Sequence, residues 1–167
     1  MNLLIADDEN LELKVLEKTI KKFFLNELEI FMASNGKQAA QISDETEINI
    51  ALLDIEMPGM NGIELAKLLR EKNPDCIIIF ITAYDKFDYA IEAMHIKAFD
   101  YLLKPWKEEK LTGLINEAIV NIKESSLENS ANENLQESQK SAIKKYIKEK
   151  FDILGEQIFP KYPNFSV

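Results

Sequence analysis

Apolar positions along the chain fall into two spacings, short unbroken runs and stripes that recur every three or four residues. Leu3-Leu4-Ile5-Ala6 is a run that stops at Asp7-Asp8. Behind it Leu11, Val15, Leu16, Ile20 and Phe23 recur at helical steps and predict a first helix. Leu28 to Ala33 predicts a second strand, closed by Ser34-Asn35-Gly36, and Ala39, Ala40 and Ile42 a short second helix. Ile48 to Leu53 is a third strand ending at Asp54, followed by the turn Met57-Pro58-Gly59-Met60, where Pro presets φ and Gly frees it. Asn61 and Glu64 form a capping-box pattern ahead of Leu65, Leu68 and Leu69. Cys76 to Ile81 predicts a fourth strand, running into Thr82-Ala83, and Asp85 caps a helix carrying Phe87, Ala90, Ile91 and Met94. Phe99 to Leu103 is the fifth strand, stopped by Lys104-Pro105. Leu111, Leu114, Ile115, Ala118, Ile119 and Ile122 line an amphipathic last helix.

Five strand–helix units in succession, with strands this apolar, predict an α/β fold whose parallel sheet is covered by helices on both faces. Right-handed crossovers reduce the choices to a doubly wound, flavodoxin-like sheet of order 2-1-3-4-5. This domain spans residues 1–122. Residues 123–138 are rich in Ser, Asn, Gln and Glu and read as a linker or frayed helix. Residues 139–167 read as a helical extension, with Ile143, Tyr146, Ile147, Phe151 and Leu154 in register, and an irregular end broken by Pro160 and Pro163.

Composition changes this picture only by exclusion. A net charge of −9 argues against general nucleic-acid binding, which needs clustered Lys and Arg. Cys76 is the single cysteine, so no internal disulfide is expected. No apolar run approaches the roughly 20 residues of a membrane helix, and the N-terminus lacks a signal-peptide pattern. The expectation is a cytoplasmic protein without membrane contact.

Ligands of such sheets bind outside the carboxyl ends of the strands. Those ends carry Asp7 and Asp8, Asp54, Thr82 and Lys104. Three carboxylates brought together repel one another unless a cation joins them, and an oxygen-only, half-open site suits Mg²⁺. A carboxylate beside Mg²⁺ can attack phosphorus, and phosphoryl transfer asks mainly for neutralised equatorial oxygens, which Mg²⁺, the Lys104 ammonium and the Thr82 hydroxyl supply. No Walker-type loop is present to bind a nucleotide, so the set serves phosphoryl acceptance and not ATP hydrolysis.

Four motifs, in order over residues 1–122, resemble the receiver (CheY-like) domain of bacterial two-component response regulators. They are Leu4-Ile5-Ala6-Asp7-Asp8-Glu9, Leu53-Asp54-Ile55-Glu56-Met57-Pro58-Gly59-Met60-Asn61-Gly62, Ile81-Thr82-Ala83-Tyr84 and Phe99-Asp100-Tyr101-Leu102-Leu103-Lys104-Pro105. The resemblance implies a phosphorelay protein that accepts a phosphoryl group on Asp54 from a sensor histidine kinase and is not a turnover enzyme. It implies that Asp8, Asp54 and the backbone carbonyl of Glu56 ligate Mg²⁺, with Asp7 acting directly or through water. It further implies that Lys104 contacts the phosphoryl group, with a cis bond before Pro105, and that Thr82 and Tyr101 form a switch pair. The face made by the fourth helix, fifth strand and fifth helix would carry the output, with homodimerisation there or through the C-terminal helix. Glu56 and Tyr84 vary in this family and would gate hydrolytic water. Glu56→Ala is expected to change the phosphate lifetime without abolishing phosphorylation.

Each residue also has a plainer reading. Asp7-Asp8 can cap a helix, Asp54 can start a turn, and Lys104 can be a solvated lysine; their shared position at one end of one sheet favours a common site. His95 reads as a surface residue, Cys76 as buried and inert, and Trp106 equally as packing or as output face. Tyr84 to Ala90 and Asp100 to Pro105 look most like receivers that precede AraC-type DNA-binding domains, and Ala142 to Ile147 like the opening helix of one. Too few residues follow Tyr146 for two helix-turn-helix units, so DNA binding by this chain alone is not expected. A stand-alone receiver, the N-terminal part of an AraC-type regulator, and a flavodoxin-like small-molecule binder or phosphohydrolase remain as readings.

Overall fold

A computed structural model describes residues 1–83 and 87–127. The expectations that fall on residues 84–86 and 128–167, including the Asp85 cap, Tyr84, most of the linker and the helical extension, lie outside the described residues. By contacts the chain divides into two units, Met1–Ile122 and Lys123–Val167.

The first unit alternates strand and helix. Its strands are β1 (Asn2–Ala6), β2 (Glu29–Ala33), β3 (Ile50–Leu53), β4 (Ile77–Thr82) and β5 (Asp100–Leu103). Its helices are α1 (Asn10–Phe24), α2 (Gly36–Glu45), α3 (Gly62–Lys72), α4 (Phe87–His95) and α5, a helix over residues 108–127 whose part up to Ile122 belongs to this unit. All strand pairs are parallel, in the order β2-β1-β3-β4-β5. This is the expected doubly wound sheet.

The alternation of side chains along each strand divides the core in two. Leu3, Ile5, Ile50, Leu52, Ile79 and Ile81 point to the face covered by α1 and α5, where Leu16, Ile20, Leu111, Ile115 and Ile119 meet them. Leu4, Ala51, Leu53, Ile78 and Phe80 point to the other face, against Ala39, Ile63, Leu65, Leu69, Ala93 and Ile96 of α2 to α4 and the turn after α4. Each fully buried Leu, Ile or Phe side chain among these contributes about 2 kcal/mol of burial free energy.

The α1 stripe differs from its sequence expectation. Leu16 and Ile20 are buried, but Leu11, Val15 and Phe23 face solvent, and the inner face is completed by Leu13, Thr19 and Phe24. The apolar residues of such a helix spread over more than one stripe sharing Leu16 and Ile20, and the sheet's geometry selects which edge turns inward. Asp7-Asp8 do not cap α1. The cap position is Glu9, which makes no side-chain capping bond, and Asp7 instead accepts the Glu9 N–H at 2.9 Å. On α4, Met94 is exposed, and Ala93 with Ile96 just beyond the helix turns inward. Observed strands β2 to β5 each begin one or two residues later than their apolar runs. The α3 start is as expected: Asn61 and Glu64 form the full capping box.

Candidate functional site

Register brings the candidate residues together. Ala6 pairs with Leu53, so Asp7 and Asp54 leave adjacent strands at the same level. Thr82 pairs with Leu103, so Lys104 leaves β5 beside the end of β4, and Lys104 N–H donates to the Thr82 carbonyl at 2.9 Å. The Asp54 N–H donates to the Ala6 carbonyl at 2.8 Å, which fastens the start of the loop after β3 to β1.

The turn after Asp54 is tight. The Ile55 carbonyl accepts from Met57 N–H at 3.1 Å and from Gly62 N–H at 2.9 Å. A Cβ on Gly62 would lie 2.0 Å from the Asp54 carbonyl oxygen, so only glycine lets α3 begin this close to the strand end. Gly59 adopts a φ of 83°, the left-handed conformation that the Pro58-Gly59 turn needs.

Carboxylate oxygens of Asp7, Asp8 and Asp54 lie within 4.8 Å of one another. Asp7 is 1% exposed and Asp54 7%, while Asp8 reaches solvent. The Lys104 ammonium donates to Asp7 Oδ2 at 2.6 Å and stands 3.7 Å from Asp54 Oδ1. Burial pushes the Asp54 carboxyl up to about 6, Lys104 opposes the rise, and the Asp7 and Asp8 charges add to it. Burial also works against the Lys104 ammonium, but the Asp7 hydrogen bond and the charges of Asp54, Asp7 and Glu12 outweigh it and hold its pKa above the ordinary value.

Three carboxylates against one ammonium leave a negative excess in a half-enclosed pocket. That excess fits a hard divalent cation with oxygen ligands, and Asp7, Asp8 and Asp54 are the residues that can hold one. With the cation's charge present, a carboxylate here can meet an electrophile that carries anionic oxygens.

The other candidates take these places. Thr82 is fully buried at the end of β4. Tyr101 is half-buried on β5 and packs on the core face shared with α3 and α4. Glu56 is half-buried in the loop after Asp54 and accepts a hydrogen bond from the Tyr89 hydroxyl of α4 at 2.9 Å. The peptide bond before Pro105 is cis. Trp106 is half-buried, packs against the α1/α5 core and donates from Nε1 to Glu12 at 2.7 Å. Cys76 is buried, and burial pushes its thiol up to about 12, which keeps it inert. His95 is exposed on α4. A surface cavity of about 740 Å³ between α3 and α4, lined by Lys67, Arg70, Glu92 and His95, lies apart from the acidic pocket.

Sequence reasoning gave no role to Tyr89 or Glu12. Tyr89 is 33 residues from Glu56, and Glu12 is 94 from Trp106, separations with no local pattern.

Residues 3–116 match the response regulator receiver domain. The chain belongs to the response regulator receiver family. A receiver is a phosphoacceptor and not a turnover enzyme. This one is 40% identical over 121 residues to the sensory transduction protein LytT of Oceanobacillus iheyensis, covering 70% of this chain and 47% of that protein. It is 37% identical over 118 residues to the positive alginate biosynthesis regulatory protein of Pseudomonas aeruginosa, covering 71% and 47%. Among solved structures, the receiver domain of AraT from Geobacillus stearothermophilus matches with a TM-score of 0.68 at 32% identity, covering 75% of this chain and 97% of that one. The chain thus spans about half the length of these two curated relatives. Among the described residues, no helix is long and apolar enough to cross a membrane.

Proposed function

We propose that this receiver takes a phosphoryl group onto Asp54 from the phosphohistidine of a sensor histidine kinase, with Mg²⁺ in the acidic pocket, and passes the change to its α4–β5–α5 face. The buried Asp54 carboxylate, 3.7 Å from the Lys104 ammonium and clustered with Asp7 and Asp8, carries this reading. Asp7, Asp8, Asp54 and the Glu56 backbone carbonyl would hold the metal, which when bound neutralises the carboxylates and the charge on the phosphoryl oxygens.

In the transfer an Asp54 carboxylate oxygen bonds to phosphorus as the P–N bond to the kinase imidazole breaks. The electron pair of that bond stays on the ring nitrogen, which takes up a proton. Lys104 binds one oxygen of the arriving group, and the Thr82 hydroxyl moves to another. Tyr101 then turns into the space that Thr82 leaves. Such a switch is a population shift, and the phosphoryl group must favour one packing over the other by a few kcal/mol to drive it.

Incubation of the chain with acetyl phosphate and Mg²⁺, followed by intact-mass analysis, tests the acceptor. A single phosphoryl adduct is expected on the wild type, absent with Asp54→Ala and without Mg²⁺. A folded wild type that gains no adduct, or an adduct retained in Asp54→Ala, rejects the assignment.

A second reading, that the chain is the N-terminal part of an AraC-type DNA-binding regulator, draws on its 33% identity over 121 residues to the uncharacterized transcriptional regulatory protein YesN of Bacillus subtilis, of which it spans 33%. Operator binding by the full-length gene product supports that reading. A monomeric or homodimeric product that binds no DNA and signals through the α4–β5–α5 face or the C-terminal helix rejects it.

A further inference from the structure

The loop that follows Asp54 is held from three directions. Asp54 N–H bonds to β1 through the Ala6 carbonyl at 2.8 Å. Within the loop the Ile55 carbonyl is committed twice, to Met57 N–H and Gly62 N–H, while the Ile55 and Met57 side chains are buried in the core beneath. The third hold comes from outside the loop. The Tyr89 hydroxyl on α4 donates to Glu56 Oε1 at 2.9 Å, and both side chains are half-buried.

We infer that Tyr89 is a positioning residue for the acceptor loop, fixing the Glu56 peptide beside the acidic pocket and tying divalent-cation affinity to the position of α4. The inference rests on the reading that the pocket holds a divalent cation next to Asp54.

A hydroxyl–carboxylate bond is charge-assisted, and half-burial of both partners strengthens it over an exposed pair. Glu56 stands between two buried residues, Ile55 and Met57, so restraining its side chain restrains the peptides on either side. Cation sites lose affinity when the groups that orient their ligands are removed. Tyr89 belongs to a different element from every pocket residue, so the bond also connects the pocket to α4. By linkage, a cation that binds better with this bond in place must strengthen the bond in return. A partner that displaced α4 would therefore weaken cation binding.

The test is calorimetric titration of the full chain with Mg²⁺ for the wild type, Tyr89→Phe, Glu56→Ala and the double variant, with Asp54→Asn as the site control. Tyr89→Phe removes one oxygen and is expected to weaken Mg²⁺ about three- to tenfold, the range open to one hydrogen bond of ordinary strength. Glu56→Ala breaks the same bond from the other side and should weaken Mg²⁺ at least as much. In the Glu56→Ala background Tyr89→Phe should have a smaller effect than in the wild type, a non-additivity that two separate structural defects would not produce. Should Tyr89→Phe fail to fold, Glu56→Ala carries the test, and an unchanged Mg²⁺ affinity in it overturns the inference. Binding that depends on Asp54 but is equal in wild type and Tyr89→Phe overturns the inference and leaves the pocket reading standing. Absence of Asp54-dependent Mg²⁺ binding in the wild type overturns both.

Discussion

Replacing Asp54 by asparagine should make the metal-free protein more stable at neutral pH, by an amount the pocket itself sets. Burial pushes the Asp54 carboxyl from its ordinary 3.8 up to about 6, with the Lys104 attraction already counted against the rise. At about 1.4 kcal/mol per tenfold change in proton affinity, that difference is worth about 3 kcal/mol. The sign follows from proton counts. Below about pH 4 the group is protonated in both the folded and the unfolded chain and costs nothing. Between about 4 and 6 the unfolded chain ionises first, so the folded form binds more protons and stability falls as pH rises. Above about 6 the folded form is also ionised and the whole cost is present.

The amide that Asp54→Asn introduces has nearly the same shape as the carboxylate and no charge, so the variant's stability should not show this fall. Urea unfolding of both forms in chelator is expected to give a gap near zero at pH 4 that grows to about 2–3 kcal/mol at pH 7.5. Saturating Mg²⁺ at pH 7.5 should then stabilise the wild type by about 3 kcal/mol at a hundredfold excess over Kd, and the variant far less. A gap that stays constant with pH, or a wild type as stable as Asp54→Asn at pH 7.5 without metal, refutes the electrostatic reasoning.

Lys104→Met should cost about 3 kcal/mol in metal-free urea unfolding at pH 7, because it leaves the buried Asp7 carboxylate without its partner at 2.6 Å. Since the Lys104 pKa is held above its ordinary 10.5, the part of that contribution that depends on its charge is intact throughout the neutral range and is lost only as pH rises through the folded-state pKa, so the gap should narrow only above about pH 10.5. Gly62→Ala should lower stability by about 2 kcal/mol or more and impair Asp54 phosphorylation, since its Cβ meets the Asp54 carbonyl oxygen at 2.0 Å. Gly113→Ala meets nothing within 4 Å in α5 and should instead add about 0.5–1 kcal/mol. Equal thermal midpoints for the two alanine variants would contradict the packing argument.

What the sequence determined by itself was the order of elements and the residues at their ends. Apolar runs and three-to-four-residue stripes are local signals, and the parallel sheet follows from their alternation because strand–helix–strand units close with one hand. The clustering of Asp7, Asp8 and Asp54, and the place of Thr82 and Lys104 at neighbouring strand ends, were legible because the ends of such strands lie together at one edge of the sheet, a rule that needs topology and no coordinates. The Asn61–Glu64 cap was legible because its partners stand three residues apart.

Tertiary structure alone decided which apolar stripe of α1 turns inward. Leu11 and Val15 lie outside because the sheet accepts Leu13, Leu16 and Ile20, and helical spacing permits either face. It also decided that Asp7 serves Lys104 and the Glu9 N–H and does not cap α1. The raised Asp54 pKa depends on burial and on three neighbours distant in sequence, and the Tyr89–Glu56 and Trp106–Glu12 bonds join residues that no spacing relates. Local periodicity constrains a backbone over a few residues. Burial, charge coupling and long-range hydrogen bonds exist only once docked elements bring their side chains within a few ångströms.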